Sequence, residues 1–157
     1  MNDLDHDPEG SPPVAGPETV EEINAIPDLM LRGMVEAVSR SDSAEIGLTL
    51  YVSGIVISGI LVSGRRFFEL MADWLASEGA RDFAENFVRP IADMFSSPDV
   101  EPADEGQAKP ADVNFIHLRA ARVFTSGAGR PLPETLWRGR LSHVSGWSIG
   151  NMAVSET

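Results

Sequence analysis

The sequence predicts an α+β fold: an antiparallel sheet, or a small partly open barrel, of about five strands with three helices. Apolar residues recur at helical spacing in some segments and at alternate positions in others, so both element types are expected. Helices and strands fall in blocks joined by short turns, which is typical of antiparallel pairing and argues against a doubly wound fold. The expected order is an N-terminal helix, a hairpin, two inserted helices and a C-terminal three-strand meander.

Residues 18–152 are predicted to form a single domain between two disordered ends. Residues 1–17, the acidic arm, carry four prolines, four acids and almost no large apolar side chain, so ordering them would bury too little surface. Residues 153–157 form the other predicted disordered end. Residues 96–111 are acidic and proline-rich without periodicity, which indicates a flexible linker inside the domain.

The N-terminal helix is predicted just after Pro27. Its apolar face recurs at i, i+3, i+4 and i+7 and consists of Leu31, Met34, Val35 and Val38.

A hairpin is predicted next, because apolar residues alternate from Ile46 to Val52 and the chain then turns at Ser53-Gly54. The returning strand, Ile55 to Val62, is rich in β-branched residues. Gly59 lies within that strand, which indicates a bulge or a sharp bend there.

Two inserted helices are predicted after Ser63-Gly64 and before the linker. Their apolar stripe comprises Phe67, Phe68, Met71, Trp74, Leu75, Phe83, Phe87, Val88, Ile91 and Phe95. Most of this stripe is expected in the core, although part of it is an alternative candidate for an exposed partner surface. Gly79 is expected to end the first of these helices, and Pro90 to kink or divide the second.

Three strands are predicted in the last third of the chain, at residues 115–124, 135–141 and 147–152. Within the first of them, Ala120-Ala121 is the expected point where the strand changes face.

Composition limits the function classes. The chain has 24 acidic and 12 basic residues and no cysteine, so disulfides and thiolate metal sites are impossible, and the net negative charge argues against wrapping nucleic acid. The longest apolar stretch is far shorter than the ~20 residues of a membrane span. The N-terminus lacks the apolar segment of a secretory signal, which favours a cytoplasmic location without membrane insertion.

No catalytic, cofactor-binding or metal-binding residue is predicted. His6, His117 and His143 lie far apart and lack a second ligand at helical spacing. The Ser-Gly pairs stand where turns are expected, and no nucleophile elbow, P-loop or dinucleotide fingerprint occurs. A serine paired with His117 or His143 stays open as a hydrolase hypothesis, and a non-enzymatic protein is the prediction.

The candidate interaction residues lie on the C-terminal strands: Arg119, Arg122, Trp137, Arg138, Arg140 and Trp147. Arginines beside a tryptophan resemble a platform for single-stranded nucleic acid. With the N-terminal helix and the bent hairpin, this keeps open an Sm-like small-barrel nucleic-acid-binding protein as the alternative. In a third interpretation, Trp137 and Trp147 lie on adjacent strands and pack together in the core.

Two blocks of the chain resemble the GvpU family of gas vesicle accessory proteins. The C-terminal block contains NFIHLR at residues 114–119, LWRGRL at residues 136–141 and VSGWSIG at residues 144–150. The upstream block contains VSGIVISG at residues 52–59. These matches occur in order over roughly residues 44–75 and 113–152. The chain departs from the family in its longer acidic N-terminal arm and extra helix, its longer middle and the lack of a basic C-terminal tail.

The resemblance implies an accessory role in gas vesicle assembly or clustering, and hence in buoyancy. It implies contacts with the vesicle shell or other gas vesicle proteins, self-association, and a gas-vesicle-associated location in the cytoplasm. Such an adaptor requires no catalytic group. The sequence therefore favours a protein–protein interaction module over the nucleic-acid and hydrolase alternatives.

Overall fold

A computed structural model describes residues 28–41, 43–95, 113–127 and 130–152. The predicted acidic arm, the linker at 96–111 and the tail lie outside these residues, so those three predictions stay untested. The helices are α1 (Leu29–Ser39), α2 (Gly64–Ser77), α3 (Arg81–Phe83) and α4 (Arg89–Met94), with a π-helical turn (Ala84–Val88) between the last two. The strands are β1 (Ile46–Val52), β2 (Ile55–Leu61), β3 (Phe115–Phe124), β4 (Thr135–Arg140) and β5 (Val144–Ile149).

The α+β class and the N-terminal helix are confirmed. Asp28 caps α1 by accepting a hydrogen bond from the backbone N–H of Leu31 at 2.9 Å, so a donor at the helix start is satisfied. The apolar face of α1 packs on one face of the sheet, here called the inner face. The buried core between them contains Leu31, Val35, Val38, Leu48, Leu50, Ile57, Leu61, Ile116, Leu118, Ala121 and Leu141.

The hairpin turn at Ser53-Gly54 is confirmed, and both residues have positive φ, at 48° and 83°. The predicted bend in β2 is also confirmed, because its register against β3 shifts between Ser58 and Ile60. The opposing residue Ala120 has a φ of 47°, and a Cβ on Gly59 would lie 3.0 Å from the backbone of the bulged strand.

The two inserted helical segments form a second layer on the outer face of the sheet. Ser63 caps α2, and Gly79 follows its end with a φ of 92°. The effect of Pro90 is a π-helical turn: the N–H of Arg89 donates to the carbonyl of Ala84, five residues back. In a regular α-helix the ring of Pro90 would collide with the carbonyl of Asn86, and the wider turn relieves that collision.

The strand order is β4-β3-β2-β1-β5, and every pairing is antiparallel. The predicted meander holds from β3 to β4, but β5 then pairs with β1 and not with β4. Only the turn Leu141–His143 joins these opposite edges. Four Cα steps span at most ~15 Å, whereas five flat strands would separate their edges by ~19 Å. The sheet therefore curls until its edges approach each other at this turn.

Residues 150–152 cross the outer face of the β1–β2 hairpin and cover two buried hydroxyl groups. The N–H of Met152 donates to Ser58 Oγ at 2.6 Å, and Thr49 Oγ1 donates to the carbonyl of Gly150 at 2.9 Å. Ser58 and Thr49 lie 3.0 Å apart and face each other across the two strands. These hydrogen bonds satisfy polar groups that would be costly to bury alone.

Two glycine substitutions, one at the bend and one on α1, should have opposite effects on stability. Gly59→Ala should lower the free energy of unfolding by about 1–3 kcal/mol, because its Cβ meets backbone atoms that cannot move independently. Gly33→Ala, on an exposed position of α1 with open space around it, should raise that free energy by about 1 kcal/mol. Urea unfolding measures both. Equal effects at the two positions would contradict the tight packing at the bend.

Candidate interaction surface

The outer face of β3 and β4 lies beneath α2 and α4 and holds His117 in an aromatic pocket. The imidazole ring centroid is 4.9 Å from that of Phe67, 6.0 Å from Phe68 and 6.3 Å from Phe95. Arg138, directly opposite on β4, donates from Nε to His117 Nε2 at 3.2 Å. His117 is thus a hydrogen-bond acceptor inside the fold.

Burial and, to a smaller extent, the positive charge of Arg138 together lower the pKa of His117 to about 4. The neutral imidazole suits the hydrogen bond from Arg138, because only an unprotonated nitrogen accepts. Within the described part of the chain, His117 does not form the hydrogen bond to a serine that a hydrolase needs. Among the described serines, the buried Ser58 and Ser63 are bonded to other groups, and His117 is bonded to Arg138.

Arg138 and Arg140 both lie over the ring of Phe115. The guanidinium carbon of Arg138 is 3.6 Å from the ring centroid, and that of Arg140 is 5.7 Å away. Partial burial lowers the pKa of Arg138, and the neighbouring charge of Arg140 adds to this effect. Both side chains remain exposed at the edge of the sheet.

Arg119 and Arg122 on β3 are each paired with a carboxylate. Arg119 Nε donates to Glu45 Oε1 at 2.8 Å, and Arg122 forms an ion pair with Glu134. The hydrogen bond from Arg119 lowers the pKa of Glu45. These two arginines therefore do not continue the positive charge of β4, and the structure does not assemble all four into one basic platform.

The two tryptophans of the predicted interaction set lie on opposite edge strands, Trp137 on β4 and Trp147 on β5. Each is half-buried and packs against the inner core. The adjacent-strand arrangement considered for them is therefore not the one observed. Trp137 lies over Gly139, where a Cβ would come within 2.2 Å of the indole ring.

An apolar groove opens between α2, α3 and the bent end of the sheet. Its volume is about 710 Å³, and Leu70, Met71, Trp74 and Phe83 contribute from the helices. Ala120, the bulge residue, and Leu136 contribute from the strands. The charged residues that line it, Arg119 and Glu134, are each already paired, so the groove presents mainly apolar surface.

The aromatic side chains beside this groove are far more exposed than residues on the buried face of a helix. Trp74, Phe83 and Phe87 keep 58%, 53% and 58% of their surface accessible, and the two phenylalanine rings stack 5.0 Å apart. Both interpretations of the apolar stripe hold in part, because Phe67 is buried while these rings are open. We call Trp74, Phe83, Phe87 and the groove the aromatic surface. The helical spacing of the stripe signalled these residues without showing which rings stay uncovered.

The described residues offer little else for ligand chemistry. No cluster of three or more histidine, aspartate or glutamate side chains in them is arranged to hold a metal ion. None of the helices described is long and apolar enough to span a bilayer.

The family model for gas vesicle protein GvpU-like proteins matches residues 28–152. The chain belongs to this GvpU-like family. The match confirms the resemblance seen in the two blocks. It also includes α1, so the interpretation of this helix as extra to the family was wrong. No curated protein and no solved structure matches this GvpU-like chain. Family membership assigns the chain to gas vesicle biology.

The buried His117 predicts a pH dependence of stability. Its folded-state pKa of about 4 lies below the usual 6.5, so the unfolded chain binds a proton more readily. The contribution of the neutral His117 to the free energy of unfolding is therefore complete above pH 6.5. It is lost as the pH drops toward 4, by up to about 3 kcal/mol. In His117→Gln, the amide oxygen still accepts a hydrogen bond from Arg138. Urea unfolding measured from pH 7 to pH 4 should then show a smaller slope of stability against pH, because the contribution of His117 is gone.

His143→Gln is the matched control, because His143 is exposed on the turn between β4 and β5. That variant should keep the slope of the unmodified chain. Carboxylates contribute equally in all three proteins, so the comparison isolates His117. An unchanged slope in His117→Gln would show that burial does not depress its proton affinity.

Proposed function

We propose that this protein is a non-enzymatic gas vesicle accessory protein that acts in vesicle assembly or clustering through protein–protein contact and self-association. Its partner on the vesicle is the shell or another gas vesicle protein. The observation that carries the proposal is the aromatic surface of a chain that belongs to a gas vesicle family. An accessory role requires a docking surface and no reactive group.

The aromatic surface fits a protein partner better than a small polar ligand. Three large rings exposed along helices flank an apolar groove, and the charges lining that groove are already neutralised within the chain. Burying one such ring against a partner contributes about 1.5–3 kcal/mol. Aromatic side chains in a central pocket carry much of the affinity of protein interfaces.

The nucleic-acid alternative receives less support from the described surface. The small-barrel part of that hypothesis agrees with the curled five-stranded sheet. Its binding part relied on four free arginines beside exposed rings. Arg119 and Arg122 are instead paired with carboxylates, and Trp137 packs against the core.

The test is co-sedimentation of the full chain with purified gas vesicles. The variant Trp74→Ala with Phe83→Ala should lose binding by about a hundredfold or more, since each of the two lost ring contacts costs at least ~1.4 kcal/mol, a factor of about ten. Because apolar contacts are insensitive to ionic screening, binding of the unmodified chain should persist at about 0.5 M salt.

Tyr51→Ala is the control, because this exposed aromatic residue lies on β1 and does not line the groove. It should bind vesicles like the unmodified chain. Light scattering of the same mixtures reports clustering, and size-exclusion chromatography reports self-association. Equal losses in the two variants, or no vesicle binding by the unmodified chain, would refute the proposal.

A further inference from the structure

Arg138 and Arg140 are adjacent exposed charges that no carboxylate of the described residues pairs with in the structure. This sets them apart from Arg119 and Arg122 on the neighbouring strand, whose carboxylate partners are in place. Both project on the same side of β4, where the ring of Phe115 lies beneath them. Guanidinium groups bind carboxylates through charge-assisted hydrogen bonds, so two of them side by side suit an anionic ligand.

The structure also leaves the backbone of this site open to pairing. β4 is the outermost strand on its side of the sheet, so half of its N–H and C=O groups have no strand partner within the described residues. Free strand edges accept an additional extended segment. A ligand for this site can therefore combine carboxylates with an extended backbone.

We infer that Arg138 and Arg140 bind carboxylates of the acidic arm of the same chain, with the arm lying along β4. The arm carries acids at alternate positions, Asp3, Asp5 and Asp7. In an extended segment, side chains two residues apart repeat every ~6.6 Å on one face, as they do along a strand. The acidic spacing of the arm therefore matches the arginine spacing of β4, and opposite charges across neighbouring strands stabilise their pairing.

The arm is long enough to reach this site on its own domain. Twenty residues lie between Asp7 and Asp28 in the sequence, and the twenty-one Cα steps would span about 70 Å if extended. A domain of this size is only roughly 35 Å across. The tether gives the arm an effective concentration of about the millimolar range. That favours docking within one chain over docking between copies in dilute solution.

The contact is expected to be reversible. Exposed ion pairs contribute little individually, so an arm held by two of them exchanges readily and is released by salt. The site is separate from the aromatic surface, whose lining residues include neither arginine. The inference therefore does not rest on the proposed function.

Paramagnetic relaxation in the full chain tests the inference. The chain has no cysteine, so Ser11→Cys takes a single nitroxide label next to the acidic segment. The amide signals of residues 137–140 should lose intensity at low salt. They should regain it at about 0.5 M salt, where the screening length falls to ~4 Å.

Two matched sets of charge variants identify the groups involved. Replacing Asp3, Asp5 and Asp7 by asparagine should abolish the intensity loss. Replacing Glu18, Glu21 and Glu22 by glutamine removes the same charge and should leave the loss in place. Unchanged amide signals of the described strands in both variants show that the domain stays folded, so a lost effect then reports the charges.

The arginine side has its own control. Arg138→Gln with Arg140→Gln should abolish the effect, whereas Arg81→Gln with Arg130→Gln should preserve it. The inference would be overturned if residues 137–140 lost no intensity, or if the loss fell on other residues instead. It would also be overturned if both acidic variants abolished the loss equally. Broadening that appears only on unlabelled chains mixed with labelled ones would also overturn it, because the contact would then join two copies.

Discussion

The bend where Gly59 of β2 faces Ala120 of β3 is the constraint on which the rest of the structure depends. In an undistorted strand, successive side chains point to opposite faces, so residues two apart share a face. With Ala120 inserted at positive φ, Leu118 and Ala121 both face the core although they are three residues apart. Arg119 then faces outward, and beyond the shift the register continues with Ile57 opposite Val123. A one-residue insertion reverses the face to which every later side chain of a strand points. The bulge at Ala120 therefore brings residues on both sides of it, Leu118 and Ala121, onto the core face.

Curvature at this bend links the fold to the candidate surface. A curled sheet lets three residues join β4 to β5 across its open side, so β5 completes the sheet against β1. The same curvature opens the groove, because Ala120 lines it where β3 turns away beneath α2. The aromatic rings of α2 and α3 beside that opening are therefore left without a cover of their own within the described chain. The aromatic surface thus follows from the backbone geometry and does not need a specialised loop.

Much of this fold was predictable from local patterns. The three helical segments, the Ser53-Gly54 hairpin and the face change at Ala120-Ala121 follow from spacing and turn chemistry, which act over a few residues. The return of β5 to β1 was not predictable, because a short turn after β4 has the same local signature in a meander and in a curled sheet. Pairing partners such as Glu45 for Arg119 are distant in sequence, so the arginines looked free until the fold brought the carboxylates to them. For the same reason, spacing identified the aromatic stripe but not the rings that stay exposed.

Hydrogen–deuterium exchange of the full chain, with and without purified gas vesicles, tests the central claim most directly. If the uncovered groove is the docking surface, vesicles should slow exchange in α2, in residues 81–88 and in residues 134–136. The β1–β5 side of the sheet should exchange as it does in the free protein. Protection confined to β1 and β5, or identical exchange in both samples, would contradict the account.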